Sequence, residues 1–468
     1  MDFTKADSED SKYICCDCIG DEIVSAEIAA VRKRRACSYC KKKQFAVAIE
    51  QLAERVEEVY AVMVGQAEVQ PEFHGDSDKV EYRQHGDTPE TIVSEMLSPD
   101  SDEISEDIVG INAGKHAFGV MRDGEDDMWD SSSDIYVLRI PRDPQIKETW
   151  ENFCHSIKHS RRFFNEEATQ WLHEILAPLV EAEAGHKRSA VRIIQPGEAD
   201  SFVYRGRMAN SPEDRTKILK DQIAELGTAP RARTSSGRMN AAGIPVFYGS
   251  FDVATCVAEL RGPVGGTVVV GKFAITRPLR ILDMTRLKDA GFFISCFDPD
   301  VARKAAYNRF LRGFHDEIKK AVIPGAETLD YLPTQFVAEY LWTRPHPPLD
   351  GLIFGSAQIS EAAARNVALF PAASVAQAMA EKRADNVEEV AVVMETDIFD
   401  DIFAETPVAR RWAPGVLDPI HEPALKLVEE GIVIARVTGI AYTLDQQPLR
   451  IYSLFQEDPD YDREDDED

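Results

Sequence analysis

The sequence predicts an α+β protein: a mainly helical amino-terminal domain beside a four-cysteine metal site, then a mixed α/β domain. Three observations carry this. Apolar residues recur every three or four positions through much of the first 190 residues, the period of a helix with one buried face. After Ile193 the pattern changes to short β-rich runs separated by helical stretches. Two Cys-x-x-Cys pairs, Cys15/Cys18 and Cys37/Cys40, are separated by 18 residues, a spacing that suits tetrahedral zinc.

At the amino terminus, each Cys-x-x-Cys turn presents two thiolates to one point. Thiolates repel, so the set needs a metal and gains from the flanking Arg32, Lys33, Arg34, Arg35, Lys41, Lys42 and Lys43. Cys15, Cys18, Cys37 and Cys40 are the expected ligands of a structural Zn²⁺. Cys16 offers another register, and a reduced thiol cluster or a redox pair is the competing chemistry. Cys154, Cys256 and Cys296 are expected as buried neutral thiols. Phe45, Ala48, Ile49, Leu52, Val56, Val59 and Tyr60 predict a helix over 44–64. Residues 71–135 hold 18 acidic and 4 basic side chains and read as loops and helices on a surface. A second helical block covers 146–183, where Trp150, Phe153, Ile157, Leu172, Ile175 and Leu179 keep the helical period.

Beyond Ile193, β-rich runs at 201–204, 245–248, 267–275, 280–282 and 351–354 alternate with helical stretches at 254–261, 300–323 and 334–342. The expected organisation is a helical domain at 1–190, an α/β domain at 191–375 and a carboxy-terminal extension at 376–456. Within the extension, 432–442 and 448–454 are expected to pair as a hairpin. Residues 457–468, nine acids against one base, read as a disordered acidic tail. A formal charge of −28 argues against a general DNA-coating protein. Only Tyr39 and Phe45 interleave with the basic residues, which is poor for base stacking, so nucleic acid is not an expected partner. No run approaches the roughly 18 apolar residues of a membrane helix. The first ten residues lack the basic and apolar regions of a secretory signal. A cytoplasmic protein with no membrane partner is the expectation.

The α/β domain holds the constellation that carries chemistry. Tyr204-Arg205-Gly206-Arg207 ends a strand, and Gly237-Arg238-Met239-Asn240 forms a turn. Tyr248 closes the next strand, Glu259 lies on the following helix, and Ser356 follows the run Asp350-Gly-Leu-Ile-Phe. Singly, Arg205 and Arg238 read equally well as surface ion-pair partners, Glu259 as a solvated helix residue and Ser356 as a turn former. In this order and spacing, over about 201–370, they resemble the RES-domain family of NAD⁺-consuming toxins. The helices and cysteine pairs ahead of them resemble the HEPN/RES amino-terminal domain. They depart from ribonuclease-type HEPN domains in lacking an Arg-x(4–6)-His motif, so RNA cleavage is not expected.

The resemblance implies a fold related to ADP-ribosyltransferase toxins, with NAD⁺ in a cleft between β-sheets and cleavage of the nicotinamide–ribose bond. It assigns Glu259, Arg205 and Ser356 to catalysis, and Arg205, Arg238, Tyr248 and Ser356 to holding NAD⁺. A carboxylate beside the ribose suits the positive charge that develops as neutral nicotinamide leaves. Arginine forks suit the pyrophosphate. Inorganic phosphate is the implied co-substrate, and an antitoxin or regulatory protein the implied partner. A mono-ADP-ribosyltransferase acting on a macromolecule and a non-catalytic nucleotide- or partner-binding protein are the alternatives. Gly262, Gly265 and Gly266 lack the spacing of a dinucleotide fingerprint, so hydride transfer is not indicated.

Overall fold

The computed structural model describes residues 11–73, 80–123, 128–180, 189–320, 327–359, 361–377, 389–390, 408–409 and 422–440. Near the amino terminus, β1 (Tyr13–Cys15), β2 (Arg34–Ala36) and β3 (Lys43–Ala48) form an antiparallel sheet ordered β1–β3–β2. Between β1 and β2 runs α1 (Glu22–Ala30), begun by Asp21, whose Oδ1 accepts from the N–H groups of Ile23 and Val24. The helix expected over 44–64 is shorter, because α2 spans Ile49–Met63 and the preceding residues belong to β3. Pairing with β1 and β2 on either side, Ala46 against Cys15 and Phe45 against Arg34, takes them into the sheet despite their helical period. Gln51 marks the changeover, its Oε1 accepting from the Ala48 N–H.

Short strands follow at β4 (Val64–Gln66), β5 (Val69–Phe73) and β6 (Val80–Gln84), then helices α3 (Pro89–Leu97) and α4 (Asp102–Asp123) and strand β7 (Tyr136–Leu138). The acidic segment is therefore more than surface. Ile92, Val93, Met96, Leu97, Ile104 and Ile108 are buried in one core with Leu52, Val56 and Tyr60 of α2. Asp102, Glu103 and Glu106 stay exposed on α4, so charge and core share one amphipathic helix. The second helical block divides into α5 (Gln145–His159) and α6 (Glu166–Val180).

The α/β region runs through β8 (Val191–Ile194), β9 (Phe202–Met208), α7 (Pro212–Lys220), α8 (Gln222–Leu226), β10 (Phe247–Ser250), α9 (Val253–Glu259), β11 (Thr267–Ile275) and β12 (Leu279–Asp283). Helices α10 (Val301–Lys319), α11 (Glu327–Asp330) and α12 (Leu332–Thr343) lead to β13 (Gly351–Gly355), β14 (Arg365–Leu369) and β15 (Ala376–Gln377). The short strands β16 (Glu389–Val390) and β17 (Val408–Ala409) precede β18 (Leu425–Arg436). Among the described residues, nine strands form one mixed sheet, β15–β18–β11–β9–β10–β14–β13–β12–β8, parallel only at β12/β13 and β15/β18. The fold is α+β, as the sequence predicts. The strand expected at 432–442 runs instead over Leu425–Arg436, and its partners are β11 and β15. Residues 448–454 and the acidic tail lie outside the described residues.

One face of the sheet carries Val203, Phe247, Phe273, Ile353 and Leu369, covered by Ile218 of α7 and Leu226 of α8. The other carries Leu282, Leu352 and Ala368 beneath α5, α6, α10 and α12. Phe153, Leu172, Leu311, Phe314 and Leu341 are buried there, each contributing roughly 1.5–3 kcal/mol of transfer free energy. Helices α5 and α6 thus share their core with the α/β region rather than with α2. No helix among the described residues is long and apolar enough to cross a membrane.

Candidate active site and metal centre

Glu259 is the last residue of α9, which Asp252 starts by accepting from the Thr255 N–H at 2.7 Å. Its Oε1 accepts from Ser356 Oγ at 2.6 Å and from Asn366 Nδ2 at 2.8 Å. Ser250 Oγ donates to Asn366 Oδ1 at 2.7 Å, which fixes the amide's orientation. The chain Ser250–Asn366–Glu259–Ser356 thereby links β10, β14, α9 and the turn after β13. Oε2 of the half-buried Glu259 takes no hydrogen bond from the described residues.

Ser356 is 7% exposed and fully committed. Its one hydroxyl proton goes to Glu259, and its oxygen accepts from the N–H groups of Gln358 and Ile359 at 3.0 and 3.2 Å. Its proton and both lone pairs are thus engaged, and the hydroxyl helps to hold the Glu259 carboxylate.

Tyr248 and Arg238 lie in the same electrostatic neighbourhood. Arg238 feels Glu259 and Tyr248, and burial lowers its proton affinity. Its Nη1 donates to the Ile318 carbonyl at 2.6 Å, and its guanidinium lies 5.5 Å from the Tyr331 ring centre. The Tyr248 hydroxyl donates to Asn240 Oδ1 at 2.7 Å and accepts from the Met239 N–H at 2.8 Å. Burial raises the pKa of this phenol. Gly237 is required in this turn because a Cβ there would sit 2.7 Å from the Tyr248 oxygen. Gln335 Nε2 holds the turn from α12, donating to the Gly237 and Asn240 carbonyls at 2.8 and 2.9 Å.

Arg205 makes no hydrogen bond or ion pair with Glu259 among the described residues, although both act electrostatically on Cys256 of α9. Strand alternation puts Arg205 and Arg207 on one face of β9, where Arg207 Nε donates to the Glu225 carbonyl of α8. Tyr204 and Gly206 take the opposite face, and a Cβ on Gly206 would meet Cys256 and Leu260 beside α9. The guanidinium of Arg205 lies 5.2 Å from the Phe247 ring centre, and its buried Nη1 has no hydrogen-bond partner among the described residues. Burial and the neighbouring Arg207 push its pKa down to about 10. Strands β9 and β10 pair only at Tyr204 and Ser250, so Arg205 sits where the sheet divides into two halves.

Sequence reasoning missed Asn366, Ser250 and His315. Asn366 is 4% exposed immediately before the apolar run Val367–Phe370, and a buried amide of that kind needs partners. His315 on α10 accepts the Gly355 N–H through Nε2 at 2.9 Å, steadying the end of β13 just before Ser356.

At the amino terminus, the Sγ atoms of Cys15, Cys18, Cys37 and Cys40 all lie within 4.8 Å of one another. Separations of 3.6, 3.6 and 3.9 Å are recorded for Cys15–Cys18, Cys15–Cys40 and Cys18–Cys37. Tetrahedral zinc with Zn–S bonds of about 2.3 Å requires sulfurs about 3.8 Å apart, so the four fit the ion. Burial opposes ionisation of Cys37, but N–H groups of Cys40, Tyr39 and Cys15 outweigh it and bring its pKa to about 7. Cys16 turns away, its Sγ donating to Asp17 at 3.4 Å. Cys256 and Cys296 are buried and Cys154 half-buried, and burial raises the pKa of all three thiols.

A search of curated proteins and one of solved structures find no match to this chain. Two family models do match: the RES domain over residues 215–392 and HEPN/RES N-terminal domain 1 over residues 30–170. The first span begins after Arg205, and the second begins after Cys15 and Cys18. With the Glu259 cluster inside one span and α2 to α5 inside the other, the chain belongs to the RES-domain family, its RES domain preceded by a HEPN/RES N-terminal domain.

Proposed function

We propose that this chain cleaves the nicotinamide–ribose bond of NAD⁺, as a phosphorylase or a glycohydrolase. Membership in the family supports an NAD⁺-acting, toxin-like protein. The observation that carries the finer reading is the Glu259 carboxylate, anchored through Oε1 by Ser356 and Asn366, with Oε2 taking no hydrogen bond from the described residues. In the reaction the electron pair of the C1′–N bond passes to the pyridinium nitrogen, and nicotinamide leaves neutral. Positive charge develops on the ribose, and a preoriented carboxylate oxygen stabilises it without having to reorganise. Phosphate or water then attacks C1′. Arg238, itself near Arg261, places cationic charge beside the carboxylate and suits an incoming phosphate or the pyrophosphate of NAD⁺.

On this reading the zinc is structural, since four thiolates leave no coordination position for water. Residues 1–190 restrain, sense or recruit, residues 191–375 hold the chemistry, and the protein works in the cytoplasm beside an antitoxin or regulator. The test is to incubate pure protein with NAD⁺, with and without phosphate, and identify the products by mass. Nicotinamide with ADP-ribose 1″-phosphate marks the phosphorylase, and nicotinamide with free ADP-ribose marks the glycohydrolase. ADP-ribose attached to protein or nucleic acid would assign it as a transferase instead. Intact NAD⁺ in every arm would overturn the proposal.

A further inference from the structure

We propose that the basic hairpin of β2 and β3, with the cysteine turn between them, is a nucleic-acid contact surface that grips a phosphodiester backbone by charge rather than by base. Between Arg32 and Lys43 stand seven cations and no acid, in a chain whose formal charge is −28. Arg32, Lys33, Arg34, Lys41 and Lys43 are exposed and form no ion pair with a carboxylate among the described residues. Carboxylates are not scarce nearby. Lys12 pairs with Glu103 and Asp107, Arg55 with Glu27 and Glu58, and Lys115 with Glu57. Lys42 is coupled by charge to a neighbouring acid, Asp17.

Balancing the metal centre does not use up this charge. A zinc ion with four thiolates carries a net charge of about −2, so about five of the seven cations exceed what it requires. Backbone conformation points the same way. Arg32 and Lys41 adopt left-handed φ values of 56° and 63°, where glycine is normally favoured, so the chain accepts strain just ahead of β2 and within the cysteine turn while keeping a cation at each.

The aromatic rings decide the mode of contact. The guanidinium of Arg34 lies 5.0 Å from the Phe45 ring centre and that of Arg35 lies 4.4 Å from that of Tyr13. Tyr39, in the turn itself, has Lys12 Nζ 5.8 Å from its ring centre and its hydroxyl bonded to Asp107, so each of these rings already has a cation over one face, which disfavours base stacking. Lys41 Nζ donates to the Ser38 carbonyl within the turn, and with the exposed lysine and arginine donors beside it makes a surface of the chemistry that binds phosphates without reading sequence. At physiological salt, screening over about 8 Å keeps distant acids from cancelling the local field. Net negative charge argues against coating DNA with the whole surface, and it leaves this hairpin free to bind.

The test uses the full-length, zinc-loaded protein and a fluorescent single-stranded oligonucleotide of about 20 nucleotides, followed by anisotropy across a salt series. About five phosphate contacts predict a slope of log K against log salt near −3.5. Arg32→Gly/Lys41→Gly removes two charges where glycine eases the backbone, so its melting temperature should be no lower than wild type. Its slope should fall to about −2, with binding about 25-fold weaker at 0.1 M salt. Lys217→Ala, which removes an exposed cation from α7, should bind as wild type does. Parallel arms with RNA and with duplex DNA show which form is preferred. No binding at about 0.05 M salt, or an unchanged slope in the double variant, would overturn the proposal. So would tighter binding of polyglutamate than of any nucleic acid, which would give the surface to an acidic polypeptide. Each readout is independent of NAD⁺ cleavage.

Discussion

At Glu259, the two hydrogen bonds on Oε1 leave the carboxylate one orientation, and each donor is itself held. Asn366 is held by Ser250, and Ser356 by two backbone N–H groups. Removing the amide should therefore loosen the carboxylate without emptying the site. Asn366→Ala is expected to lower kcat roughly 10- to 100-fold, the scale of one hydrogen bond to a charged group, with KM little changed. A fall in NAD⁺ affinity with kcat intact would contradict this positioning role. Arg205 calls for a different measurement, because it lies at the fork of the sheet and is not bonded to Glu259 among the described residues. At about 10 its pKa still leaves it protonated at neutral pH, and its Nη1, with no hydrogen-bond partner among the described residues, is a donor waiting for an acceptor. Calorimetry should show weaker NAD⁺ binding in Arg205→Ala, and incomplete recovery in Arg205→Lys, which lacks the fork. Unaltered affinity in both would remove Arg205 from the binding site. The family pattern made Glu259 and Ser356 legible as site residues, but the hydrogen bond between them was not, because partners 97 residues apart meet only through the sheet.

Among the elements, β13 and its following turn are steadied from α10 by His315, a neutral imidazole accepting the Gly355 N–H. Burial lowers the proton affinity of His315 below that of an unfolded histidine, about 6.5. The unfolded chain therefore binds the proton more readily, and stability rises with pH across this window. The contribution is present above about pH 6.5 and is lost as pH falls below it. Melting temperatures from pH 7.5 to 5 should drop more steeply for wild type than for His315→Gln, which keeps an acceptor and cannot titrate. Parallel curves would show that His315 does not govern this region. Strand β11 was read from the sequence at its full length, since nine residues rich in valine leave little ambiguity. Residues 44–48 were misread because sheet pairing on both sides overrode a helical period. The partners of β18 were invisible for the same reason, since a strand's alternation shows which residues are buried and not which strand lies beside it.

Across the whole molecule, two centres of different kind organise the chain. The cysteine cluster joins β1 to the turn between β2 and β3 near the amino terminus, whereas α5 and α6 are built into the core of the α/β region. Metal analysis should find about one zinc per chain, and Cys37→Ser should lose it and lower the melting temperature of the amino-terminal region. A metal-free protein with an unchanged melt would contradict a structural zinc. The cysteine spacing made this centre legible, because four ligands in two short turns are a local pattern. The carboxylate cluster needed β10, α9, β13 and β14 to converge, and Asn366 carried no motif to announce it. The central claim concerns that cluster, and the most direct test is the rate of NAD⁺ consumption by Glu259→Gln beside wild type and Glu339→Gln. Glu339 is an exposed residue of α12, so its variant should turn over as wild type does. Glu259→Gln keeps size and hydrogen bonding but loses the charge, and should fall roughly 10²- to 10³-fold with NAD⁺ still bound and the fold intact. NAD⁺ consumption at the wild-type rate by Glu259→Gln would contradict the account.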